Sequence, residues 1–106
     1  MKISESELIN RGFAEYQPSE FDSCNKCYQK RYRDKEGHTA FFLDVKHYEL
    51  VHPTTKEDMS GDEVSGQFYL KGNHNAVNMS FLDSTVDEVE QFITSLFEAG
   101  LLENYE

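Results

Sequence analysis

Cys24-Asn25-Lys26-Cys27 is the one spacing that invites a chemical reading, because two thiols separated by two residues can bind zinc or cycle between dithiol and disulfide. Zinc needs two further ligands. Four residues separate His47 from His52, as in finger motifs, but nineteen separate Cys27 from His47 where fingers have about twelve. On a strand, positions 47 and 52 also face opposite ways unless the chain bends near Val51. Catalytic redox pairs sit at a helix N-terminus that stabilises the thiolate, whereas this motif runs into a strand pattern. No metal and no cofactor are therefore assigned. Cys24 and Cys27 are read as ordinary cysteines at a strand's start, with a small metal-binding or enzymatic protein built on the pair as an alternative.

Gly72-Asn73-His74-Asn75-Ala76-Val77-Asn78 gathers a histidine and three amides. His74, Asn75 and Asn78 could line a binding or general-base site, but Asn and Gly are also the default residues of a tight turn. Within that stretch no Ser, Cys or paired carboxylate completes a nucleophilic or acid-base set, so the chain is read as a non-enzyme.

Charge points elsewhere. Twenty acidic residues stand against ten basic ones, a formal net of −10. Five of the ten basic residues (Lys26, Lys30, Arg31, Arg33, Lys35) fall in one ten-residue stretch with Tyr28 and Tyr32, a mixture used to bind single-stranded nucleic acid. The net charge repels a phosphate backbone, so no direct nucleic-acid binding is expected. A basic partner surface is the better match. The expected carriers are Glu57, Asp58, Asp62 and Glu63 in one polar segment, and Asp87, Glu88, Glu90 and Glu98 toward the C-terminal end.

The elements that must position these residues follow from local patterns. Ser4-Glu5-Ser6-Glu7 has the form of a capping box, predicting a short helix with Leu8 and Ile9 that stops at Gly12. Alternation predicts a strand over 27–33, a turn over 34–37 and a long strand over 38–51, together a hairpin. His52 to Glu63 has no apolar residue except Pro53 and Met59, and reads as a mobile surface loop. Val64, Gly66, Phe68 and Leu70, then Val77, Met79 and Phe81, predict a second hairpin. Ser84 or Thr85 caps a last helix whose apolar face is Val86, Val89, Phe92, Ile93, Leu96 and Phe97, with a Schellman ending at Gly100.

These elements predict one α+β domain over residues 1–106: a short N-terminal helix, a four-stranded antiparallel sheet of two hairpins, and an amphipathic C-terminal helix, with helices covering one face. At 106 residues such a chain buries roughly 65% of its unfolded surface, and eight Phe and six Tyr supply large buried areas. No apolar run approaches the ~20 residues of a membrane span, and the first ten residues lack the pattern of a signal peptide. With only two cysteines, a cytoplasmic protein without membrane attachment is expected. Its oligomeric state is open.

Tyr28 to Tyr32, Phe42 to Tyr48, and Phe68-Tyr69-Leu70-Lys71-Gly72 with His74 and Ala76-Val77-Asn78 form a pattern that resembles small uncharacterised proteins of tailed bacteriophages and prophages. The likeness extends to Val89, Glu90, Phe92 and Leu96 and to the acidic tail Glu103 to Glu106. It carries no catalytic signature and implies origin rather than mechanism. Small acidic phage proteins often bind and inhibit a host protein, such as a CRISPR or other defence nuclease, and an inhibitor of this anti-CRISPR type is the expectation. An immunity protein or antitoxin that neutralises a basic nuclease toxin is the alternative.

Overall fold

The computed structural model describes residues 3–20, 24–72, 76–81 and 84–103. In chain order they form α1 (Glu5–Asn10), β1 (Ala14–Tyr16), β2 (Lys26–Arg33), β3 (Thr39–Tyr48), β4 (Gly61–Leu70), β5 (Val77–Ser80), α2 (Val86–Glu98) and β6 (Leu102–Glu103). The sheet runs β1-β2-β3-β4-β5, with β6 paired to β4. The pairs β1–β2, β4–β5 and β4–β6 are antiparallel. The architecture is α+β, as the patterns predict, but with six strands rather than four. The two extra strands are short, three residues in β1 and two in β6, and neither is long enough to show alternation.

Two compact units divide the chain, residues 1–30 with 44–64 and residues 31–43 with 65–106. The expectation that both helices cover one face is replaced by a narrower finding, that each helix belongs to a different unit. In the first unit, Leu8 of α1 is buried, as are Phe13, Cys27, Tyr28, Val45 and Val64. Half of the expected capping box forms: Ser4 Oγ accepts the Glu7 amide, while Glu7 itself pairs with Arg11. Lys30 lays its ammonium over the Phe13 ring, which explains how a lysine sits half-buried in β2.

In the second unit, α2 buries Val86, Val89 and Ile93, the inner part of its predicted face. Thr85 caps it with a complete capping box to Glu88. At the other end Gly100 adopts a φ of 67° and its amide donates to the Phe97 carbonyl, while Leu101 N–H returns to Leu96. That is the predicted Schellman ending. The centre of this unit is an aromatic stack, Phe41 on Phe68, with centroids 4.8 Å apart and planes 10° from parallel. Among the described residues, no helix is long and apolar enough to cross a membrane.

Gly66 is where this stack meets β4. A Cβ there would lie 2.7 Å and 2.8 Å from two carbons of the Phe41 ring and 3.2 Å from Phe81. Phe41 is fully buried, so its ring has nowhere to retreat without disturbing Phe68. Gly66→Ala is therefore expected to lose about 1–3 kcal/mol through overpacking. Denaturant unfolding should show a lower midpoint at an unchanged slope, and an unaltered midpoint would contradict this packing.

Candidate functional site

The segment expected to be an open loop is a folded hairpin end. Between β3 and β4, Met59 N–H donates to Leu50 O at 2.7 Å and His52 N–H to Glu57 O at 2.8 Å, around an antiparallel bridge of Val51 with Asp58. Lys56 N–H closes the turn on His52 O and takes a φ of 63°, a conformation a lysine rarely adopts. Polar side chains do what apolar ones do elsewhere. His52 Nδ1 accepts the amides of Thr54 and Thr55, Asp58 Oδ1 accepts Ser60 N–H, and Ser60 Oγ accepts Leu50 N–H. Low apolar content suggested mobility because only hydrophobic anchoring was counted, whereas Ser, Thr, Asp and His fix the backbone through local hydrogen bonds.

The base of this hairpin is held by Asp62 and Asn25. Asp62 is 2% exposed at its side chain; His47 Nδ1 lies 2.7 Å from its Oδ1, and the Ile3 amide donates to its Oδ2. Asn25 N–H donates to His47 O at 2.8 Å while its Oδ1 accepts Glu49 N–H at 2.7 Å. Asp62 was expected on the binding surface, and its burial overturns that. The reason is phase: β4 begins at Gly61, so Asp62 points the same way as the buried Val64, Gly66 and Phe68.

Around the Asp62–His47 pair lies a small cavity of about 130 Å³ that also reaches Glu5, Lys26, Tyr28 and Glu49. An aspartate that orients a histidine resembles the supporting half of a catalytic dyad. Glu5, 3.6 Å away, holds the Lys26 ammonium above its ordinary pKa, and burial, followed by Glu5, raises the Tyr28 hydroxyl. Both keep their protons. The Asp62–His47 pair joins the segment at Ile3, β3 and β4.

Cys24 and Cys27 are buried with their sulfurs 2.7 Å apart. His47 and His52 are not grouped with them: Nδ1 of His47 meets Asp62 and Nδ1 of His52 accepts the Thr54 and Thr55 amides. No group of three or more His, Cys, Asp or Glu side chains that could hold a metal ion occurs among the described residues. His74 and Asn75 lie outside those residues; Asn78 is exposed in β5, opposite Gln67.

The remaining predicted carboxylates fall into two groups. Glu57, Asp58 and Glu63 are exposed in the first unit, with Glu63 accepting the Tyr48 hydroxyl. Asp87, Glu88 and Glu98 are exposed on α2 in the second unit, Glu90 is half-buried there, and one Glu88 oxygen is committed to the capping box. The residues that pattern reading missed are apolar. Leu50, Val51 and Met59 are 53%, 64% and 56% exposed, and register sets Leu50 opposite Met59 at the hairpin end. Their signal was available: a strand pattern running to Val51 with no buried partner strand predicted beside it.

No family model, curated protein or solved structure matches the chain.

If Asp62 is the anchor, Asp62→Ala strands the Ile3 amide and the His47 ring without an acceptor. Unfolding free energy should fall by about 1–3 kcal/mol, while exposed Glu57→Ala should stay within about 0.5 kcal/mol of the parent. Equal effects from the two substitutions would show that Asp62 is an ordinary surface carboxylate.

Proposed function

We infer that the chain is a non-enzymatic interaction protein that binds a basic surface of a host protein through the hairpin end between β3 and β4. The observation that carries this reading is the pairing of exposed Leu50, Val51 and Met59 with Glu57 and Asp58 on a backbone already held in place. Leaving apolar area in water costs roughly 25 cal/mol per Å², so Leu50 and Met59 set opposite each other, with Val51 exposed on the other face of the same hairpin end, call for an explanation that scattered side chains do not. Apolar anchors with a charged rim are the usual anatomy of a protein interface.

Rigidity adds to the argument. A loop that orders only on contact loses conformational freedom at that moment, and a preformed hairpin avoids most of that cost. Carboxylates beside the anchors attract a cationic partner over several ångströms and speed encounter, which supports a basic rather than a neutral target. The carriers are thus Leu50, Val51, Met59, Glu57, Asp58 and Glu63. Asp62 supports them from below. The exposed carboxylates of α2 belong to the other unit.

Inhibition of a host defence nuclease, in the manner of phage counter-defence proteins, is the biological setting this reading proposes. Such enzymes present cationic nucleic-acid grooves that an acidic, apolar-tipped element can fill. The test is affinity purification from host cells at low salt, using the parent and a variant with Leu50→Ser, Val51→Ser, Met59→Ser, Glu57→Gln and Asp58→Asn. A basic protein should be enriched with the parent and bind the variant about thirtyfold or more weakly, with the thermal midpoint nearly fixed. Recovery of the same proteins at the same level by both forms would end this reading.

A further inference from the structure

In a chain this acidic, a gathering of cations that is not spent on ion pairs among the described residues needs a reason, and the second unit contains one. A concave surface of about 780 Å³, within the size range of small-molecule clefts, is lined by Arg33 at the end of β2, Lys35 in the turn that follows and Lys71 just past β4. Phe97 and Leu102 supply its apolar wall. Arg33 donates one guanidinium N–H to Gly37 O at 3.0 Å, which fixes the group while most of its five donors are left for another acceptor. Lys35 and Lys71 make no ion pair with any described residue.

Three carboxylates share the wall with these three cations, and none of them is within ion-pair distance of Lys35 or Lys71. Asp34 Oδ1 accepts the amides of Glu36 and His38, and Glu36 lies 3.9 Å from His38 Nε2, so both serve the turn. Glu103 is the third acidic side chain in the wall. Near the end of α2 the Ser95, Phe97 and Leu96 carbonyls are closed by the Ala99, Gly100 and Leu101 amides and not by these cations. The net −10 of the chain acts weakly inside the groove, since charges beyond about 8 Å are screened at physiological ionic strength.

We propose that this groove binds an organic polyphosphate with an aromatic body, a ligand of nucleotide size. The phosphates lie against Arg33, Lys35 and Lys71, where the guanidinium fork matches two phosphate oxygens and the ammonium groups supply point charge. The aromatic body rests on Phe97 and Leu102. Several negative charges on a short chain match three cations on separate elements better than a single carboxylate does.

The test is an NMR titration of the intact chain with ATP, tripolyphosphate, adenosine and a glutamate-rich hexapeptide. ATP should saturate, moving resonances of residues 33–36, 71 and 97–103, and should bind more tightly than tripolyphosphate, adenosine or the peptide. Lys35→Glu and Lys71→Glu are exposed changes that should leave the unfolding midpoint in place and weaken ATP about tenfold or more each. The proposal is overturned if ATP shows no saturable binding by about 1 mM, if tripolyphosphate or the peptide binds as tightly, or if both variants bind ATP like the parent.

Discussion

Asp62 is a carboxylate with almost no contact with water, and both of its oxygens are used. A buried charge is tolerated only when hydrogen bonds replace the water it has lost, so the positions of His47 and the Ile3 amide are conditions for the fold of the first unit. Asp62 cannot be satisfied unless β3 and β4 are in register there. The bridge of Val51 with Asp58, carried back along both strands, sets His47 opposite Asp62, where the 2.7 Å contact is found. A one-residue slip would turn Asp62 outward and bring a different residue under the hairpin.

That constraint explains how a twelve-residue polar segment can be a structural element. Held at its base by Asp62 and by the Asn25 clamp on His47 and Glu49, the chain needs only local bonds to finish the turn. Thr55, Asp58, Ser60 and His52 provide them. Met59 of the segment, and Leu50 and Val51 just before it, then stay exposed beside Glu57 and Asp58, the arrangement on which the proposed binding rests. Structure and proposed binding share one cause.

Much of this was legible from residue order and some was not. The long strands, the Schellman ending at Gly100 and the Thr85 cap follow from periodicity and capping chemistry, which act within a few residues. The apolar pattern starts the strand at Val64 and so puts Asp62 in the loop, whereas β4 begins at Gly61 and the same two-residue period, extended back by one step, turns Asp62 inward. The hairpin end was misread for a related reason, since hydrogen bonds from Ser60 to Leu50 or from Asn25 to Glu49 join positions that no local pattern connects. The groove at Arg33, Lys35 and Lys71 was half visible as a basic arm. Lys26 and Lys30 leave that arm for Glu5 and Phe13, while Lys71 joins from a distant strand.

The central claim is that the hairpin end is ordered before any partner arrives, and amide hydrogen exchange of the isolated protein tests it most directly. His52, Lys56 and Met59 donate their amides inside the hairpin, to Glu57, His52 and Leu50 carbonyls. These three amides should exchange well below the unstructured rate in the parent, and Asp62→Ala should accelerate them by loosening the base while the amides of α2 change little. Exchange of His52, Lys56 and Met59 at the unstructured rate in the parent protein would contradict the account, and would make the segment a flexible loop.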